Sequence, residues 1–238
     1  MPSLTFRLFE LLTRHEAIRG LIADARERWH ESRRRPDQGY SQHGEDLWLW
    51  NYFGRRNSGF YIDVGASSPI RLSNTYLFYK AGWRGITVDP IRTLCDCHRR
   101  LRPRDINRNS GVGLAREMGI FHELIPSVLS SFDKDWAEKQ VAAGAILRAE
   151  YEIPIVSLSS LLSDCLSGTD DCVIDFLSVD VEGLDDVVLR SNDWDRFRPR
   201  VVMYECNDPA NDPASSFLAS VGYAPLQDLG CNRLFVAG

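Results

Sequence analysis

The chain has no apolar run near the roughly 20 residues that span a bilayer. It also has no basic excess: 28 Lys and Arg stand against 33 Asp and Glu, a net charge of −5. The first absence argues against a transmembrane segment. The second argues against a fold-wide nucleic-acid surface, so no nucleic-acid partner is expected. Arg7, Glu10, Arg14 and Glu16 interrupt any apolar core of a leader peptide, and a cytoplasmic location is expected. Cys95, Cys97, Cys165, Cys172, Cys206 and Cys231 form no C-x-x-C pair and no zinc-type double pair. Scattered, reduced thiols fit that compartment. The "CDCH" at 95–98 lies in a helix-like stretch and reads poorly as a metal set. Two phosphate-binding signatures are missing as well: neither G-x-G-x-x-G nor Gly-Lys-Ser/Thr occurs.

What is present suits one α/β domain with an appendage: 238 residues, 44% of them hydrophobic. The appendage is residues 1–38. Leu4, Leu8, Leu11, His15, Ile18, Ile22, Ala25 and Trp29 alternate in steps of four and three, the rhythm of a helix seam. The spacing predicts an amphipathic helix packed on its own domain or on a second copy, hence a possible homo-oligomer. Mixed charge on the opposite face argues against a membrane surface. Pro36 and Gly39 mark a linker, and a second domain is expected over 39–238.

Strand-like runs then alternate with helix-like ones. Strands are expected at 59–64, 84–89, 105–112, 173–180 and 200–205, with a closing antiparallel pair near 222–227 and 232–237. Helices are expected at 44–54, 73–81, 91–101, 157–166 and 183–191, and over 130–150 with a capping-like Ser130-x-x-Asp133. Such alternation implies a Rossmann-like, mostly parallel sheet with ligands at the strand C-terminal ends.

The run "FYIDVGASSP" at 60–69 ends a strand in Asp63 and turns on the single Gly65. Asp63 would repel a phosphate and suits a cationic or amino-bearing ligand. The next strand ends in Asp89, where two carboxylate oxygens can accept from ribose hydroxyls. A ribose without a pyrophosphate, beside an amino-acid head, describes S-adenosyl-L-methionine (SAM). A helix N-terminus after Gly65 would face its carboxylate. A dehydrogenase on the same topology is disfavoured by the missing glycines.

The blocks "SQHGED" (41–46), "YIDVGASSPIRLSNTYLFYKAGWRGITVDP" (61–90), "LSSFDKDWAE" (129–138), "IPIVSLSSLL" (153–162) and "FLSVDVEGLDDVVLRSNDWDRFRPRVVMYE" (176–205) resemble the FkbM family of SAM-dependent methyltransferases. The resemblance spans about residues 40–238. It implies the class I methyltransferase fold and O-methylation of a sugar, polysaccharide or glycosylated natural product. Asp63 and Gly65 match the first SAM motif, Asp89 the ribose acid, and Asp180, Glu182 and Gly183 the "DVEG" after the fourth strand. Glu205 matches the acid closing the fifth. Gln42, Ser67 and Pro90, inside the matching blocks, complete the cofactor candidates. A non-catalytic SAM-binding scaffold of the same fold is the alternative.

Methyl transfer to an alcohol needs the acceptor held in line and its proton removed by a base or a metal. Asp180, Glu182, Glu205 and His43 are the catalytic candidates, with His122 a further possible base. "SQHGED" also reads as a helix start with Ser41 as N-cap. Asp180 and Glu205 should end neighbouring strands, and a divalent ion such as Mg²⁺ between them would relieve their repulsion.

Overall fold

The computed structural model describes residues 16–33, 38–168 and 173–238. Helix α1 (Glu16–Arg33) precedes α2 (Glu45–Tyr52), β1 (Phe60–Val64), α3 (Tyr76–Lys80), β2 (Arg84–Val88) and α4 (Arg92–Leu101). Strands β3 (Ile106–Arg108), β4 (Gly111–Val112) and β5 (Glu117–Ile125) lead to α5 (Lys134–Ala142), β6 (Ile146–Val156) and α6 (Leu158–Cys165). Then follow β7 (Phe176–Val179), α7 (Asp185–Arg190), β8 (Val201–Glu205), α8 (Pro213–Ser220), β9 (Tyr223–Leu229) and β10 (Asn232–Ala237).

Seven strands form one sheet in the order β3-β2-β1-β7-β8-β10-β9. The first five run parallel, and the final hairpin adds antiparallel to β8. This is the class I methyltransferase topology that the sequence implied. Its central strands are apolar throughout because both faces are covered. With a period of two, Phe60, Ile62 and Val64 face the core under α6, α7 and α8, joined by Leu177, Val179, Val202 and Tyr204. Tyr61, Phe176, Val201 and Met203 face the opposite core, against Leu49, Phe53, Phe78 and Trp83.

A second, three-stranded sheet has the order β4-β6-β5. The single strand expected over 105–112 is therefore split, β3 joining the large sheet and β4 the small one. The helix expected over 130–150 is also two elements. The chain leaves α5 at Gly144, whose φ of +107° ends the helix, and enters β6. Asp133, not Ser130, caps α5, its carboxylate accepting from the N–H groups of Asp135 and Trp136. Strand β5 and helix α8 were not anticipated.

Ser41 is not the N-cap of α2. Gly44 takes that place in the left-handed region, and the Ser41 hydroxyl donates to Asp46 instead. Leu4, Leu8, Leu11, His15 and Cys172 lie outside the described residues. The seam of α1 does not pack on its own domain, one of the two arrangements expected for it. Ile22, Ala25 and Trp29 are exposed, whereas Glu27 is buried against the domain. Cys95 and Cys97 also serve no common ligand. The Cys95 thiol donates to the Asp89 carbonyl, the Cys97 thiol to Asp24. Among the described residues no helix is long and apolar enough to cross a membrane.

Candidate active site

The turn after β1 is fixed by the backbone of its neighbours. The N–H groups of Gly65 and Ala66 both donate to the Val88 carbonyl, at 2.9 and 3.1 Å. On the other side Asp180 N–H donates to Val64 O. Gly65 has φ +80°, and a Cβ there would lie 1.8 Å from the Asp180 carbonyl oxygen. Only glycine lets the two turns close together. No helix N-terminus follows at once, contrary to expectation. Residues 65–75 form a loop before α3.

A cavity of about 310 Å³ opens beside these turns at the C-terminal edge of the parallel strands. Asp63, Gly65, Ser67, Asp89, Pro90, Gln42, Asp180, Glu182 and Glu205 all line it, so the structure gathers every sequence candidate but His43 and His122. His43 is exposed, and its ring packs on Gly230. His122 is buried in the small sheet, paired through Nδ1 with Glu150 at 2.7 Å, outside the cavity lining.

Five carboxylates line the cavity, and among the described residues no Lys, Arg or His does. On one side, Asp89 accepts from Ser67 N–H at 2.8 Å with one oxygen and from Ile91 N–H at 2.7 Å with the other. Burial, together with the charges of Asp63 and Glu123, pushes Asp89 up to about 7 despite those bonds. Each oxygen keeps a lone pair for a ligand hydroxyl. Nearby, the Ser110 hydroxyl is buried in the wall without a partner.

On the other side, Asp180, Glu182 and Glu205 each offer an oxygen, and these atoms lie within 4.8 Å of one another. Glu205 accepts from Asn207 Nδ2 and from the Cys231 thiol. Burial, then the charges of Glu205, Asp63 and Glu45, pushes Asp180 up to about 8. Burial, then Asp180, Glu205 and Asp185, pushes Glu182 up to about 9. Asp185, buried at the start of α7, accepts from Glu205 N–H and is raised in the same way. The expected convergence of the β7 and β8 ends is present, because the two strands pair directly.

The Methyltransferase FkbM domain matches residues 63–224. The chain belongs to the FkbM methyltransferase family. No curated protein matches it in sequence. Similar solved structures include a TehB-like SAM-dependent methyltransferase from Corynebacterium glutamicum (11% identity, TM-score 0.43, 90% of this chain and 97% of that one). Another is an O-methyltransferase from Bacillus cereus in complex with SAH (12%, TM-score 0.40, 92% and 89%). A third is the 1,6-didemethyltoxoflavin-N1-methyltransferase from Burkholderia thailandensis (12%, TM-score 0.39, 93% and 88%).

This FkbM methyltransferase has a lining that fits SAM chemically. The ribose hydroxyls would meet Asp89, and the partnerless Ser110 hydroxyl stands on the same side. The glycine turn gives the backbone clearance a ligand needs, and the acidic lining suits a sulfonium and an ammonium. The small sheet and the chain that joins β5 to β6 form an insert between the large-sheet strands β3 and β7, and this insert supplies the remaining wall. Trp136, its indole N–H donating to Leu129 O at 3.2 Å, and Gln140 line it from α5. Asn74, Asn207, Ser110, Trp136 and Gln140 escaped sequence reasoning. Only Asn74, in "LSNTY" just beyond the first turn, and Trp136, in the family-like block "LSSFDKDWAE" that leads into α5, carried a signal that could have found them.

Proposed function

We propose that this methyltransferase transfers the methyl group of SAM to a hydroxyl of a sugar, polysaccharide or glycosylated product. The observation that carries the reading is the trio Asp180, Glu182 and Glu205, gathered within 4.8 Å beside the β1 turn in a cavity that, among the described residues, no Lys, Arg or His lines. Such a trio is costly unless it takes a proton or a cation. Both occupants help an alcohol to react. A protonatable carboxylate accepts the hydroxyl proton, and an oxygen-ligated Mg²⁺ lowers the hydroxyl's pKa and orients a diol. Asp180 and Glu205 are the ligands we assign to the ion, with Glu182 completing the set.

Bound SAM supplies a methyl carbon already attached to its leaving group. The chain must do the rest. Asp89 holds the ribose end, Gly65 and Asp63 the amino-acid end, and the acid trio the acceptor oxygen and its proton. Trp136 and Gln140 would bound the acceptor on the insert side. An anionic lining repels phosphate, so the acceptor is an uncharged polyol portion of its molecule.

The test is formation of SAH with SAM and a panel of uncharged glycosides, followed by mass spectrometry of the product. Methylation of a sugar hydroxyl supports the reading. Methyl transfer found only on nitrogen or carbon acceptors overturns it.

A further inference from the structure

Helix α1 lies outside the matched FkbM region, yet it reaches the cofactor loop. Asp24, Glu27 and Glu31 are spaced three and four apart and share one face. That acidic face docks on the domain. Arg100 donates to Asp24 through Nε and Nη2. Lys80 donates to Glu31 at 3.0 Å. Between them Glu27 is buried, and one of its oxygens, Oε2, accepts from the N–H groups of Ile70 and Arg71, at 3.1 and 3.0 Å.

Ile70 and Arg71 sit at the centre of the 65–75 loop. On either side of them, Ser67 (φ +46°) and Leu72 (φ +57°) hold left-handed conformations that non-glycine residues avoid. A loop strained at two points keeps its shape only where its surroundings fix it. Ser67 is held by Asp89 and by the His98 ring at its carbonyl. Burial lowers His98 to about 3, so the ring is neutral there. Buried Arg102 donates to Pro69 O and Ser73 Oγ. Asn74 is held by Ser178, and Thr75 by Asp63. Of the two amides in the middle, Ile70 N–H is held from α1, and Arg71 N–H is shared between α1 and Ser68 Oγ at 3.1 Å. Ser67, Leu72 and Asn74 of this loop line the cavity.

We propose that α1 is a working part of the SAM site: Glu27 is a positioning residue that sets the 65–75 loop in its binding shape. The proposal rests on SAM as the methyl donor. It predicts that cofactor affinity depends on a helix beyond the matched domain. A carboxylate bonded to two adjacent amides is a strong clamp, and removing it leaves the buried Ile70 N–H unpaired and the Arg71 N–H with Ser68 Oγ alone.

The experiment is calorimetric titration of SAM into the full chain, with hydrogen exchange of the loop. Wild-type binding tests the cofactor reading by itself. The ratio of variant to wild type tests Glu27. Glu27→Ala should weaken SAM about tenfold or more and speed exchange across 65–75. Glu27→Gln keeps an acceptor oxygen and should restore affinity to within about threefold of wild type. A folded Glu27→Ala protein with wild-type affinity overturns the proposal, as does a Gln variant no better than Ala. If Glu27→Ala does not fold, Asp24→Asn/Glu31→Gln loosens the helix without touching the loop. That double variant should bind SAM more weakly and exchange Ile70 and Arg71 faster, and unchanged values overturn the proposal equally.

Discussion

The α-carbon of Gly65 and the carbonyl oxygen of Asp180 approach so closely that an added methyl would sit 1.8 Å from the oxygen. The turn after β1 and the end of β7, which leads into Asp180 and Glu182, are thereby one packed unit. Gly65→Ala should cost about 3 kcal/mol or more, from a left-handed backbone worth about 1–2 and overpacking worth about 1–3. Thermal melting should show the fall, together with loss of SAM binding. Gly144→Ala is the control. Gly144 has φ +107° but nothing within 4 Å of its added carbon, so only the backbone cost applies.

Asp89 gives the pH dependence. Its folded pKa is raised, by burial first, to about 7 from an ordinary 3.8. The folded state thus holds the proton more tightly than the unfolded chain, and the ligand-free fold loses stability as pH rises from about 4 to about 7. Ribose hydroxyls donate to the ionised carboxylate, so SAM affinity should rise through the same upper range. Calorimetry between pH 6 and 8 should show tightening for the wild type. Asp89→Asn should lose the part of the rise centred near pH 7 and keep only that of Asp180 and Glu182 above it, and Asp89→Ala should be at least about tenfold weaker at pH 8.

Metal dependence is read most directly with Mn²⁺. In the presence of SAH, the chain should bind one Mn²⁺, and Asp180→Asn or Glu205→Gln should weaken it by about tenfold or more. Exhaustive EDTA should stop turnover and Mg²⁺ should restore it. Full turnover in EDTA eliminates the ion and leaves a carboxylate as base. Asp180→Asn should then still abolish the rate while SAM affinity stays near wild type.

Trp136 separates acceptor from cofactor. Trp136→Ala should raise the acceptor KM by about tenfold, on the scale of losing a buried aromatic contact. SAM affinity should stay within about twofold. Equal losses for both ligands would place the indole's effect on the whole cavity instead.

The large sheet was readable because its strands announce themselves. Runs such as "FYIDV" and "RVVMYE" are apolar on both faces, as covering helices demand, and each carries an acid at or next to its C-terminal end. The acids at those ends marked the cavity for the same reason. The insert was hidden by composition. "ILRAEYEIPIV" carries charged residues that suit a helix, yet Leu147, Ala149, Tyr151, Ile153 and Ile155 alternate with them at a period of two, the strand signal. The docking face of α1 was hidden in another way. The helix's apolar spacing was real, but docking is decided by partners, and Arg100, Lys80 and two loop amides lie opposite Asp24, Glu31 and Glu27. Nothing in the local pattern of 16–33 reveals amides that come from residues 70 and 71.

The β4-β6-β5 sheet shares no strand with the seven-stranded one. It nevertheless carries the wall that faces the acid trio, with Phe132, Trp136 and Gln140 on the chain between β5 and β6. A change in that wall leaves the hydrogen-bond ladders of the large sheet untouched. The cavity is thereby walled by two separately laddered parts, the parallel sheet that carries the acids and the small sheet that carries the aromatic side. Substitutions in the 117–156 segment can therefore reshape one wall of the cavity without breaking a ladder bond under the other.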